Sequence, residues 1–328
     1  MILADEAAQI AARAAREWGA GAKPPELITI RENAVFRAEQ ATGRVIALRL
    51  HRPGYQSRAG IEAELNWTLG LAAQGLAVPE PIPTGDGALT WRQGDVVVSA
   101  VGWLDGAPLG RADTALAGDR AAQEKLFAAL GRLLAGLHRV TDVLALPADL
   151  PRPRWDSEGL LGANPTWGRF WENPGFRAED QGLIAAVRTG ALERLRHIGT
   201  AAPAFGLIHA DVMRENVLIA PDGTLNLIDF DDSGFGYRLY DLGTALVQSL
   251  EEQNLPFLAG ALLEGYAEVG GEVGNGQQDL MLFTLLRCLA STGWIDSRAP
   301  QGDPRRKLYV ERALRLSARV AEGRCDWP

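Results

Sequence analysis

The dominant spacing of apolar residues shifts near Asp105-Gly106, from mostly strand-like before it to mostly helical after it, and that shift confines the chain to a two-part architecture. From Leu27 to Leu50 the apolar residues fall in three short alternating runs, Leu27 to Ile30, Val35 to Glu39 and Arg44 to Leu50, with Ala41-Thr42-Gly43 as a turn before the third. Alternation of this kind marks strands of an antiparallel meander. Ile61, Leu65, Thr68 and Ala72 then share one face of a helix over 59–74, which ends near Gly75. Pro79, Pro81 and Pro83 impose an extended connection, and Leu89 to Trp91 with Val96 to Val101 form a further hairpin. After Asp105-Gly106 the period lengthens: Leu126, Leu130, Leu133, Leu134 and Leu137 stripe a long buried helix, and most of the chain beyond it is helical. The spacing therefore predicts an α+β chain, with a small antiparallel-sheet lobe over 1–104 and a mainly helical lobe over 105–328.

Charge and cysteine usage narrow the function classes. Lys plus Arg number 33 against 41 Asp plus Glu, a net charge of −8, which works against nonspecific attraction to nucleic acid or to an anionic membrane. Cys288 and Cys325 lie far apart with no CxxC spacing, so neither a zinc knuckle nor a disulfide framework is indicated, and a reducing cytoplasm is the expected compartment. Asp5 and Glu6 stand where a signal peptide needs a basic start, and residues Ala7 to Trp18 read as an amphipathic helix. No apolar run approaches the roughly 18 to 20 residues that span a bilayer. A stretch rich in Pro, Gly and Trp at 151–176, with Trp155, Trp167 and Trp171, reads as an anchored insert; its tryptophans either pack or line an acceptor pocket.

The chemistry concentrates in His209-Ala210-Asp211, Asn216, a hairpin, and Asp229-Phe230-Asp231-Asp232. If Asp222-Gly223 is a two-residue turn, Val217 faces Ile228 and Asn216 faces Asp229, with Cβ atoms about 4.5 to 5.5 Å apart; a three-residue turn shifts the register by one and leaves Asn216 and Asp229 diagonal neighbours. An amide oxygen and a carboxylate at that separation can share one hard cation, whose ligands sit at about 2.1 Å for magnesium. Asp211, five residues before Asn216, then stands beside the metal as an acceptor for a hydroxyl proton.

This pattern resembles the catalytic core of the aminoglycoside phosphotransferase and choline kinase-like superfamily, relatives of the protein kinases. The resemblance implies a bilobal kinase-like fold in which Asp211 is the catalytic base while Asn216 and Asp229 hold Mg2+ on the phosphates of ATP. It also implies that Asp241 braces the catalytic loop. Arg49 occupies the third-strand position, usually lysine, that grips the α- and β-phosphates, and Glu64 is its helix partner in preference to Glu62. The loop Arg31-Glu32-Asn33-Ala34 has no glycine, and Asn33 offers its amide to the phosphates instead. Val101-Gly102-Trp103-Leu104 is the expected hinge against adenine.

Protein kinases usually carry a lysine two residues after the catalytic aspartate; Met213 stands there, which disfavours a protein substrate. Leu48 to Pro53 and Gly234 to Asp241 resemble the branch of homoserine kinase-type and stress-response kinases. The expectation is transfer of the γ-phosphate of ATP to a small hydroxyl compound: an amino alcohol, a hydroxy amino acid or an aminoglycoside-like molecule. A Ser/Thr protein kinase and a nucleotide-binding protein without turnover remain alternatives. Asp231, Asp232, Glu251 and Glu252 lean the acceptor toward a cation or zwitterion, although Asp231 and Asp232 are equally read as solvated acids. His138 reads as a helix cap or core residue.

Overall fold

The computed structural model describes residues 3–147, 149–324 and 326–327, so Cys325 lies outside the described residues. In chain order the elements are α1 (Ala4–Glu17), β1 (Glu26–Ile30), β2 (Ala34–Glu39), β3 (Val45–Leu50), α2 (Arg58–Ala73), β4 (Thr90–Gln93), β5 (Val96–Gly102), β6 (Ala107–Pro108) and α3 (Arg120–Val143). They continue with β7 (Arg154–Trp155), α4 (Ser157–Leu161), α5 (Gln181–Ile198), β8 (Phe205–Ile208), β9 (Val217–Ile219), β10 (Leu225–Leu227), β11 (Gly234–Tyr237), α6 (Arg238–Val247), α7 (Leu255–Glu268), α8 (Gln277–Arg298) and α9 (Pro304–Ala321). The chain divides into two compact units, one of Met1–Ala107, Leu144–Arg152 and Ala220–Asp231, the other of Pro108–Val143, Pro153–Ile219 and Asp232–Pro328.

The first unit is built on an antiparallel sheet in the order β1-β2-β3-β5-β4. Alternation along β5 explains how both faces are covered. Val96, Val98 and Ala100 join Ile46, Leu48 and Phe36 under the alanine-rich face of α1, where Ala7, Ala11, Ala14 and Ala15 are fully buried. Val97 and Val101 point the other way, onto Ile61 and Leu65 of α2. Ser57 caps α2 by accepting from the Gly60 amide at 3.0 Å, a contact worth about 1 kcal/mol.

The turn at 221–223 takes the longer of the two forms the sequence allows. Ala220 donates to the Thr224 carbonyl at 2.9 Å, Gly223 donates back to Ala220, and Gly223 takes φ +86°. The loop thus has three residues, with proline setting the first turn position and glycine the left-handed one. This replaces the two-residue turn from which a Val217–Ile228 pairing is drawn.

The second unit is mainly helical, and α8 forms its spine, buried at nearly every position from Asp279 to Ile295. It also holds a small sheet, β7-β11-β8, with β11 parallel to β7 and antiparallel to β8. Glycine makes this sheet possible: a Cβ at Gly234 would collide with the Pro153 carbonyl, and one at Gly236 would meet Trp155. Part of the Trp-rich insert is therefore strand. No helix among the described residues is long and apolar enough to cross a membrane.

Candidate active site

The first unit gathers a buried charge cluster around Arg49. β3 delivers this side chain and α2 delivers Glu64, and the two meet at 2.8 Å with side-chain exposures of 10% and 2%. Glu62 instead pairs with Arg58 and accepts from Thr90. The second guanidinium nitrogen of Arg49 donates to Asp229 Oδ1 at 3.1 Å and lies 3.6 Å from Asp231 Oδ1. Burial lowers the proton affinity of Arg49, but Glu64, Asp229 and Asp231 together raise its pKa, so its charge is fixed. Burial likewise pushes the Asp231 carboxyl up, while His51, Arg49 and Arg152 draw it well below the usual carboxylate range. His51 sits 3.9 Å from Asp231 and shares a 2.8 Å hydrogen bond with Ser99.

Arg152 was not singled out by the sequence, yet it fastens this cluster. It is buried and donates to the carbonyls of Gly60, Phe230 and Asp231, tying residues 230–231 to the start of α2. Asn33 is engaged at both ends of its amide, accepting from the Arg52 backbone at 3.0 Å and donating to Asp231 Oδ2 at 3.2 Å. Its amide therefore bridges the glycine-free loop to Asp231. The hinge residues divide: Trp103 and Leu104 line a cavity of about 420 Å3 with Arg37, Val45, Val78 and Glu80, whereas the Val101 side chain packs toward α2.

In the second unit, Asp211, Asn216 and Asp241 form one connected loop assembly. Asp241, in the first turn of α6, accepts from the backbone amides of His209 and Ala210 at 2.9 and 2.6 Å. His138 bonds Asp241 Oδ2 at 3.0 Å and Tyr266 at 2.7 Å, so it braces the core from mid-helix rather than capping α3. Burial would raise the Asp241 carboxyl, but the His138 hydrogen bond and the His209 amide hold it down. Asn216 Nδ2 donates to the Asp211 carbonyl at 2.9 Å and to Asp211 Oδ2 at 2.8 Å. Its nitrogen is thereby committed to Asp211. Ala210 and Asp229 both adopt positive φ, +66° and +65°, a strained conformation for residues other than glycine that is characteristic of functional sites.

Arg287 of α8 is the other side chain the sequence did not mark. It reaches Asp211 Oδ1 at 2.7 Å. Its signal was an arginine amid Leu285, Leu286, Cys288 and Leu289, because a cation in so apolar a helix face requires a buried partner. The acids expected to attract a cationic acceptor are largely engaged: Glu251 pairs with Arg312 and Arg315, and Glu252 with Arg214. Trp155 and Trp167 are buried in packing, Trp155 stacking on Tyr240 and giving its indole N–H to the Asp232 carbonyl.

The donor chemistry fits magnesium. Around Arg49, two guanidiniums (Arg49, Arg152) face three carboxylates (Glu64, Asp229, Asp231), leaving a negative surplus, and the Asp229 side chain is half-exposed. Among the described residues no group of three or more His, Cys, Asp or Glu gathers as a metal cage. Few protein ligands are what magnesium takes when phosphates and waters complete its shell.

The sequence model of the phosphotransferase enzyme family matches residues 28–277. A homoserine kinase of Methylobacterium nodulans is 32% identical over 197 residues, 58% of this chain, and the match spans only 55% of that kinase's own length. A solved structure, the microcompartment-associated aminopropanol kinase, superposes with a TM-score of 0.82 at 28% identity, covering 96% of this chain and 98% of the other. An amicoumacin kinase in complex with AMP-PNP and Ca2+ shares the fold, with a TM-score of 0.74 at 16% identity over 96% of this chain and 93% of its own.

Proposed function

The chain belongs to the phosphotransferase enzyme family, and from that membership we propose that it moves the γ-phosphate of ATP to the hydroxyl of a small amino alcohol or hydroxy amino acid. The observation that carries the reading is the Asp211–Asn216 pair, in which one amide orients a carboxylate and keeps its own oxygen as a ligand for a hard cation. Asp211 accepts the hydroxyl proton. Arg49, held by Glu64, contacts the α- and β-phosphates, and Asn33, Val101, Trp103 and Leu104 complete the nucleotide contacts of the 1–104 lobe. Asn216 and Asp229 are the protein ligands of Mg2+, which when bound neutralises phosphate oxygens. The 105–328 lobe carries the acceptor.

The acceptor class draws support from similarity to an aminopropanol kinase and to homoserine kinases, whose substrates both join an amine to a hydroxyl on a short carbon chain. An ATP-consumption screen tests it with 1-amino-2-propanol, L-homoserine, choline, neutral sugars, an aminoglycoside and a generic protein. The short amino alcohol or hydroxy amino acid is expected to raise ADP release at least about tenfold over no acceptor. Phosphate transfer to sugars alone, or to protein alone, would overturn the acceptor class. Met213 and the glycine-free loop favour a second reading, nucleotide binding without turnover; it predicts Mg-ATP affinity with no ADP release under any acceptor.

Arg49 separates a phosphate contact from a purely structural charge. Arg49→Ala leaves buried Glu64 with only the more distant Arg152, at 3.9 Å, and is expected to destabilise the protein by about 3 kcal/mol, read in a thermal or urea melt. Arg49→Lys keeps the charge but not the fork. It is expected to fold, to weaken Mg-ATP about tenfold and to leave adenosine affinity unchanged. Equal losses for both ligands would move the phosphate grip elsewhere.

A further inference from the structure

Both oxygens of Asp211 are pinned, one by Asn216 at 2.8 Å and the other by Arg287 at 2.7 Å. Arg287 also gives its other terminal nitrogen to the Ala210 carbonyl at 3.1 Å, so one planar guanidinium grips the strained backbone and the following side chain together. The group is buried and lies over the Trp167 indole at 4.5 Å from the ring centre. Its surroundings are closely packed. Trp167 meets Trp155 edge-on, Asn173 bonds the Thr292 carbonyl of α8 at 2.7 Å, and Gly293 packs directly on the backbone of Trp167 and Gly168.

The position of this charge matters because of Met213. Protein kinases usually hold a lysine two residues after the catalytic aspartate, and methionine carries no charge. Arg287 Nη2 lies 3.7 Å from Met213 Sδ and contacts the aspartate directly. We infer that Arg287 is a positioning residue for phosphoryl transfer, supplying from α8 the positive charge beside Asp211 that Met213 cannot.

The inference rests on the proposed kinase activity. In that reaction the acceptor oxygen bonds to Pγ, the bond from Pγ to the bridging oxygen breaks with its electron pair leaving on ADP, and the hydroxyl proton passes to Asp211. A bare carboxylate at that point repels the anionic phosphoryl group as it approaches. Arg287 shields that repulsion and fixes the carboxylate's aim, so its effect belongs to the transfer step rather than to nucleotide binding.

Charge transplantation tests this in the full-length protein, with 1-amino-2-propanol or L-homoserine as acceptor, whichever the parent turns over faster. Arg287→Met is expected to lower kcat roughly a hundredfold with KM for Mg-ATP within about twofold. Adding Met213→Lys is expected to restore about tenfold of the loss, which repair of a structural brace would not do. A folded double variant no faster than Arg287→Met overturns the inference, as does unchanged kcat in Arg287→Met itself. Should Arg287→Met fail to fold, Arg287→Lys carries the test. It is expected to lower kcat about tenfold in the parent and to have no measurable effect on the residual turnover of Asp211→Asn. An equal drop in both backgrounds overturns the inference. A parent that transfers to neither acceptor moves the measurement to whichever acceptor of the screen it does phosphorylate, or to ATP hydrolysis by water, and a parent that releases no ADP under any of these conditions rejects the kinase reading and this inference with it.

Discussion

Replacing Asp211 with asparagine is expected to leave Mg-ATP affinity within about twofold of the parent and to slow turnover roughly a thousandfold. The amide has the carboxylate's shape but cannot take a hydroxyl proton, whereas Asn216 and Asp229 are untouched. The structure adds a side effect to monitor. Arg287 is buried against Asp211, and an amide in place of the carboxylate leaves its charge uncompensated, so the melting temperature should fall as well. Activity is therefore measured at a temperature where circular dichroism shows the variant folded. Turnover within tenfold of the parent under those conditions would reject the role of Asp211.

Asp229→Ala is expected to abolish magnesium-dependent nucleotide binding while leaving the protein folded. It deletes the one anionic member of the proposed ligand pair, and the neutral amide of Asn216 is a weak ligand by itself. Arg49 retains Glu64 at 2.8 Å and Asp231 at 3.6 Å, so the loss of Asp229 does not strand its charge. Titration with a non-hydrolysable ATP analogue, with and without Mg2+, checks this: the parent should gain affinity from the metal and the variant should not. A variant that still responds fully to Mg2+ would shift the metal to other ligands.

Much of the fold could be read from local pattern alone. β2, β3 and β5 bury one face or both, so their alternation and the turn residues between them carry the signal, and α3 announces itself through its leucine stripe. The β7-β11-β8 sheet could not be read in that way. β7 has two residues, and β11 runs through Gly234 and Gly236, which look like turn residues because the reason for them, the approach of Pro153 and Trp155, is tertiary. The same limit governs the site. Asp211, Asn216 and Asp229 stand in one short motif, but Arg152 and Arg287 come from segments whose neighbours reveal nothing of what the side chains touch. Glu251 and Glu252 show the reverse failure: as sequence they are an acidic pair beside the site, and only the folded chain brings Arg214, Arg312 and Arg315 to neutralise them.

Arg287 lies ten residues beyond the last position matched by the family model, on a helix that begins where that match ends. A fragment trimmed to residues 28–277 would keep His209, Asp211, Asn216, Asp229 and Asp241, and would satisfy any search for the motif. It would nevertheless lack the cation that pairs with Asp211 and leave bare the face of α6 that α8 covers, where Gly243 meets the backbone of Phe283 and Thr284. The family model therefore ends before the proposed site is complete, whereas the likeness to the aminopropanol kinase extends over 96% of the chain, and grafts or chimeras should be joined after α9 rather than at residue 277.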